Sequence, residues 1–187
     1  MKVNFKSVLT DIQDRQLTTF CLLKDFPSDP LPRKHRGLYW IWSNLTPDQL
    51  QKLPTRPDTK EVPIAELVHQ RSELAKICKV THKKFTIVYN GIGGYKKTPA
   101  NFGLRERIMQ ELNCNDHRTG TLNLSNRRGF DAENWAISYF DFDNADNAKI
   151  VKQLSYWCVL FISVLDVIVI CVGVFFWWLT ALGVSNQ

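Results

Sequence analysis

Two tyrosines and one arginine in the middle of the chain are the residue types best suited to chemistry on a phosphate. Tyr39 and Tyr89 each lie next to or near a glycine in an apolar run, and Arg107 follows in a charged segment. Hydrolysis of a phosphodiester needs a nucleophilic water, a general base and neutralisation of charge on the phosphoryl oxygens. Arginine suits the last task because its planar fork makes two parallel, charge-assisted hydrogen bonds. The three residues therefore suggest chemistry on a phosphodiester.

Local patterns predict the elements that carry these residues. Residues 38–42 and 85–89 are β-branched and aromatic runs bordered by glycine, which is typical of half-buried strands. In residues 101–112 apolar side chains recur at every fourth position, which predicts a helix with one buried face. Arg105 and Arg107 fall off that apolar stripe, so we expect them to face solvent or a ligand.

Three short motifs occur in this order along the chain. They are Gly37-Leu38-Tyr39, Tyr89-Asn90-Gly91 and Leu104-Arg-Glu-Arg107. At these residues the chain resembles the GIY-YIG nuclease superfamily, over roughly residues 36–155. The resemblance implies an α/β fold with a small three-stranded antiparallel sheet flanked by helices, the third strand being residues 135–142.

The resemblance also implies roles for particular residues. A strand tyrosine, Tyr39 or Tyr89, would act as the base or orient the water, and Arg107 would hold the phosphate. A glutamate on the helix after the third strand would bind a divalent metal, Mg²⁺ or Mn²⁺. The glycines of the motifs would be structural turn residues: Gly37, Gly91 and Gly93.

The expected metal ligand is missing from its place. The helix predicted at residues 145–154 carries Lys152 and Gln153 there, and no glutamate follows Glu133. Mg²⁺ prefers anionic oxygen ligands, and an amide is a poor replacement. Glu133 and Asp143 are the remaining candidates, although acids at strand ends and helix starts are usually turn and N-cap residues. Two functions stay open: a DNA endonuclease, or a catalytically impaired nuclease-like protein that only binds nucleic acid.

The charge of the chain favours a polyanionic partner. Lys and Arg number 24 against 18 Asp and Glu, a net charge of +6. Such a surplus suits DNA or an anionic membrane surface, although basic clusters are often only solvated faces. Candidate DNA contacts are Arg36, Lys96, Lys97 and Arg105. We find no glycine-rich phosphate loop and expect no small-molecule cofactor. Five cysteines without paired spacing indicate neither a disulfide framework nor a zinc site.

The chain divides into three predicted parts. Residues 1–35 are an N-terminal extension, residues 36–154 the nuclease-like domain, and residues 155–187 an apolar tail. A helical segment is inserted into the domain at residues 44–82, where it either grips DNA or covers the sheet. Its first helix is expected to begin at Thr46, with proline at the next position and a glutamine three residues after the cap.

The tail is long and apolar enough for a transmembrane helix over residues 156–184. Lysines precede this span and no charge follows it, so the positive-inside rule predicts a cytoplasmic domain tethered by a C-terminal anchor. Two alternatives remain for the tail. It could be a buried core helix, or the reading frame could have shifted near residue 154, which would leave a truncated nuclease without its metal-binding glutamate.

Overall fold

The computed structural model places the central part of the chain in one layered domain. It describes residues 5–27, 31, 34–56, 60–72, 81–94, 102–114 and 120–158. Lys96, Lys97 and nearly all of the predicted transmembrane segment, residues 156–184, lie outside these ranges.

Five strands and five α-helices make up the described structure. The strands are β1 (Cys21–Leu22), β2 (Gly37–Ser43), β3 (Thr81–His82), β4 (Phe85–Gly93) and β5 (Trp135–Asp141). The helices are α1 (Phe5–Thr18), α2 (Pro47–Gln51), α3 (Ile64–Ser72), α4 (Leu104–Asn113) and α5 (Ala148–Cys158). Short 3₁₀ turns fall at Leu23–Asp25, Leu124–Asn126, Ala132–Asn134 and Ala145–Asn147.

The strands form a single antiparallel sheet in the order β1-β5-β2-β4-β3. The α/β class agrees with the sequence prediction, but the prediction of a three-stranded sheet is wrong because the sheet has five strands. The three predicted strands form its centre. The two additional strands, β1 and β3, lie at the edges and are two residues long. A two-residue strand is too short to show an alternating pattern in the sequence.

The central strand β2 is buried along its whole length and contributes to two cores. Its sequence is apolar on both faces, as expected of a strand that is covered on each side. Tyr39 and Ile41 pack against α4 on one face. Trp40 and Trp42 pack on the other face, where α1 and α5 lie. The helix α1 and strand β1, both within residues 1–35, are thus part of the sheet and its cover.

The inserted segment packs into the core on the α4 side of the sheet. Leu50 of α2 and Ile64 of α3 are buried there with the apolar face of α4. The helix α2 begins as predicted, with Thr46 as N-cap and a reciprocal capping bond from Gln49. The helices α2 and α3 of the insertion thus cover one face of the sheet, and its last residues, Thr81–His82, form the edge strand β3.

A transmembrane helix after the domain was part of the fold prediction. In the described ranges, none of the helices has the length and apolar character needed to cross a bilayer. The predicted transmembrane segment, residues 156–184, lies almost wholly outside those ranges, so the correction to the fold prediction is the number of strands, five in place of three.

Candidate active site

A single buried carboxylate joins the strand and helix residues that the sequence singled out. Glu111 on α4 is 0% exposed. The hydroxyl of Tyr39 donates to its Oε1 at 2.7 Å, and Nη2 of Arg107 lies 3.3 Å from the same oxygen. The backbone N–H of Leu122 donates to Oε2 at 2.8 Å. Both carboxylate oxygens are therefore engaged by donors from three separate parts of the chain.

Strand register brings the two tyrosines to one face of the sheet. Tyr39 in β2 lies opposite Gly91 in β4, and Tyr89 lies opposite Ile41. Side chains two residues apart in a strand share a face, so both rings point toward α4. Their ring centroids are 6.4 Å apart. A Cβ atom at Gly91 would overlap the Tyr39 hydroxyl, so glycine provides the space in which that hydroxyl meets Glu111.

The start of α4 rests directly on the strands. A Cβ atom at Gly93 would overlap the backbone of Leu104, and the Leu104 N–H donates to the carbonyl of His35 at 2.6 Å. The predicted apolar stripe of α4 is buried as expected. It comprises Leu104, Ile108 and Leu112. The helix is thus fixed in both position and rotation, which fixes the side chains that follow its first turn.

The motif glycines have a different role from the predicted one. Gly37 and Gly93 are cross-strand partners, and Gly91 pairs with Tyr39, so all three lie within strands rather than in turns. Left-handed backbone angles occur instead at Gly94, with φ of 79°. The motif glycines permit close approach of backbone and side chains, which is the other common use of glycine. The prediction that these residues form turns is corrected accordingly.

Burial and charge shift the pKa values in the cluster. Burial, followed by the charge of Glu111, raises the pKa of Tyr39 well above 10 and that of Tyr89 to about 12. Burial also raises the pKa of Glu111, and hydrogen bonds from Leu122 and Tyr39 offset only part of that rise. Burial lowers the pKa of Arg107, but interactions with Tyr39 and Glu111 outweigh it and the net shift is upward.

The three candidate catalytic residues therefore meet in one cluster, with unequal access to solvent. Tyr39 is 0% exposed, so the cluster is closed at this residue rather than an open pocket. Tyr89 is half-buried, and the Arg107 side chain is 27% exposed. Arg107 also donates to Oε1 of Gln110 at 2.6 Å. Tyr89 and Arg107 are thus the members of the cluster that a ligand could reach.

The predicted DNA contacts and metal ligands lie elsewhere or outside the description. Arg36 is exposed and forms an ion pair with Asp143 at 2.6 Å, while Arg105 is partly exposed on α4. Glu133 is exposed and pairs with Lys24. Lys96 and Lys97, as stated above, fall outside the described ranges. Within those ranges, groups of three or more His, Cys, Asp or Glu able to hold a metal do not occur.

The carboxylate of the cluster was not anticipated from the sequence. The resemblance directs attention to the helix after the third strand, whereas Glu111 lies on α4. A signal was available, since Arg107 and Glu111 are four residues apart on one helix and such pairs face each other. The pair is an ion pair at 3.3 Å in the structure.

No family model, curated protein or solved structure matches this chain. We therefore describe the protein by the fold and the site that the structure shows. It is an α/β domain in which a tyrosine pair, an arginine and a buried glutamate meet between an antiparallel sheet and a helix.

Proposed function

We propose that this protein is a DNA endonuclease of GIY-YIG type, with Tyr39, Tyr89, Arg107 and Glu111 forming its phosphodiester site. One observation carries the proposal. A strand tyrosine and a helical arginine contact the same carboxylate oxygen, Oε1 of Glu111, at 2.7 Å and 3.3 Å. The resemblance requires a tyrosine and an arginine to converge in this way, and the motif order alone does not guarantee it.

Arg107 is the phosphate-binding residue in this proposal. A guanidinium has five N–H donors, and the bonds to Gln110 and Glu111 use two of them. Its partial exposure allows a phosphate to approach, while the ion pair with Glu111 keeps the fork in one orientation. A phosphate bound there would gain charge-assisted hydrogen bonds.

The tyrosines act as hydrogen-bond donors at neutral pH. Because the pKa of Tyr89 is raised to about 12 and that of Tyr39 is raised well above 10, both phenols keep their protons. Tyr89, the more accessible of the two, would donate to a phosphate oxygen or orient a water molecule. Tyr39 is buried and donates to Glu111, so it positions the carboxylate. This assigns the tyrosines a different role from the base that the resemblance implies.

Glu111 fits a positioning role better than metal ligation. Mg²⁺ usually keeps several of its waters, so a carboxylate that ligates it must border a site open to solvent. Both oxygens of Glu111 accept hydrogen bonds, and the residue is 0% exposed. A requirement for Mg²⁺ or Mn²⁺ remains a prediction of the resemblance, to be tested by activity with and without the ions.

A second candidate function is nucleic-acid binding without cleavage. The closed hydrogen bonding of Glu111 favours it, because a carboxylate held by Tyr39, Arg107 and Leu122 has little freedom to serve as a base or ligand. Binding would still use Arg107 and Tyr89, since phosphate contacts need no metal.

The test compares cleavage and binding in one set of proteins. Purified full-length protein is incubated with supercoiled plasmid DNA in Mg²⁺, Mn²⁺ or EDTA, and binding to labelled duplex DNA is measured over a range of salt. The variants are Arg107→Ala and Tyr89→Phe. Matched controls are Arg15→Ala, an exposed arginine on α1, and Tyr139→Phe on the neighbouring strand.

The endonuclease proposal expects nicking by the unmodified protein and both controls, with a large loss in both variants. If the protein only binds nucleic acid, we expect no nicking by any of the proteins. We then expect Arg107→Ala to bind DNA about tenfold or more weakly than the unmodified protein, because it loses a charged hydrogen bond. If Arg107→Ala and Arg15→Ala cleave DNA equally well and also bind it equally well, both candidate functions are refuted.

A further inference from the structure

Arg127 is a buried cation bound by the backbone of two chain segments. Its side chain is 1% exposed. Nε donates to the carbonyl of Leu122 at 2.7 Å, Nη1 to that of Pro54 at 3.2 Å, and Nη2 to that of Val62 at 2.6 Å. A buried charge is costly unless its donors are satisfied, so these bonds fix the guanidinium and the three carbonyls together.

Glu61 also connects the two chain segments that Arg127 bonds, and we call their meeting point the junction. Its Oε1 accepts from Nε of Arg56 at 2.6 Å and from the side-chain amide of Asn123 at 2.6 Å. Its other oxygen lies 4.0 Å from Nη2 of Arg127. The residue thereby links residues 54–56 and 60–62 of the inserted segment to residues 121–127. The two segments also share a backbone bond from Val62 to Thr121 at 2.9 Å.

Leu122 connects this junction to the candidate active site. Its carbonyl oxygen accepts from Arg127, while its own N–H donates to Oε2 of Glu111. Both groups belong to one residue in the short segment that precedes a 3₁₀ turn, and the next residue, Asn123, is in the left-handed conformation with φ of 46°. A shift of the segment that breaks the Arg127 bond would therefore also displace the donor to Glu111.

We propose that Arg127 is a positioning residue of the candidate active site. It holds Leu122 where the Leu122 N–H fixes Glu111, and Glu111 in turn orients Tyr39 and Arg107. Arg127 itself is buried and does not touch a substrate. The functional importance of this role rests on the proposed function of the Glu111 cluster, whereas the linkage from Arg127 to Glu111 can be measured without any substrate.

The linkage is tested by following the Leu122 amide signal by NMR during a pH titration of the full-length protein. The signal responds to ionisation of Glu111 because the amide donates to its carboxylate. The pH-dependent change that disappears in Glu111→Gln is the one due to Glu111. Arg127→Lys keeps the charge but cannot bond three carbonyls in a fixed fork. Arg128→Lys is the matched control, since Arg128 is adjacent and exposed.

We expect Arg127→Lys to lose the response of the Leu122 amide to Glu111, and Arg128→Lys to keep it. In DNA binding we expect a loss of about tenfold in Arg127→Lys, comparable with that in Glu111→Gln. A folded Arg127→Lys protein with an unchanged Leu122 response would overturn the proposal and leave Arg127 a purely stabilising residue. Loss of the response in a protein whose unmodified form does not bind DNA would uphold the linkage and refute the proposed function.

If Arg127→Lys does not fold, hydrogen exchange in the unmodified protein decides the question. The proposal expects the Arg127 Nε–H and the Leu122 amide to exchange through the same opening, with equal free energies. A Leu122 amide that stays protected while the Arg127 Nε–H exchanges freely would contradict the linkage.

Discussion

Replacement of Glu111 by glutamine tests the central contact of the structure. The carboxylate offers two acceptor oxygens, one to Tyr39 and Arg107 and the other to Leu122. Glutamine offers only one oxygen, and its NH₂ group must face a donor at the other position. One buried donor is thereby left unpaired, which costs about 1–3 kcal/mol. This cost refers to the ionised carboxylate, so we expect the free energy of unfolding at neutral pH to fall by about that amount.

The cost should depend on pH in a defined direction. The pKa of Glu111 is raised above its ordinary value of 4.5, mainly by burial. The protonated carboxyl therefore favours the folded state, so its stabilising contribution is full below pH 4.5 and is lost as pH rises through the folded pKa. Glutamine does not titrate. The difference in stability between the unmodified protein and Glu111→Gln should accordingly be largest at acid pH and shrink toward neutral pH.

The measurement is urea denaturation of the full-length proteins at several pH values between 4 and 8. Titration of other carboxylates affects both proteins and cancels in the difference. Glu133→Gln is the matched control, because Glu133 is an exposed glutamate whose ion pair with Lys24 contributes little. A difference that grows as pH rises would refute the reasoning. It would mean that the ionised carboxylate, paired with Arg107, is the form that stabilises the fold.

Two further substitutions address the space and the hydrogen bonds around the sheet. Gly91→Ala places a methyl group where the Tyr39 hydroxyl lies. Overpacking of this kind should lower the free energy of unfolding, measured by urea denaturation, by about 1–3 kcal/mol. It should also change the near-ultraviolet circular dichroism of the tyrosines. An unchanged spectrum would show that the ring was not displaced. Ser138→Ala leaves the buried Nε1 of Trp42 without its 2.8 Å acceptor and should cost about 1–3 kcal/mol by thermal or urea unfolding. The exposed Ser125→Ala serves as its control, and an equal change in both would contradict that cost.

Strong periodic patterns accounted for the centre of the fold. The apolar runs predicted β2 and β4, and the resemblance implied a third strand at residues 135–142, which the structure gives as Trp135–Asp141. The four-residue spacing predicted the buried face of α4. Capping chemistry predicted the start of α2 at Thr46. In each case a local physical preference and the final packing agree, so the signal could be detected from the sequence alone.

Features that depend on contacts distant in sequence could not be predicted in this way. The edge strands β1 and β3 are defined by pairing with β5 and β4, not by their own two-residue sequences. Arg127 lies next to another arginine and therefore resembles part of a solvated basic cluster, yet it is buried among carbonyls from two segments. The contact between Glu111 and Leu122 joins a helix to a loop whose position depends on the inserted segment.

The burial of β2 on both faces has a consequence for how the protein forms during synthesis. Its strand partners are encoded far downstream, and Tyr39 pairs with Tyr139 about a hundred residues later. Until the ribosome has released β5, the Trp40 and Trp42 side chains have no complete core to enter. Such late, long-range closure slows folding and leaves apolar surface open to self-association. The strand β2, which carries Tyr39 of the candidate active site, therefore stays without its two strand partners until β4 and β5 have been synthesised.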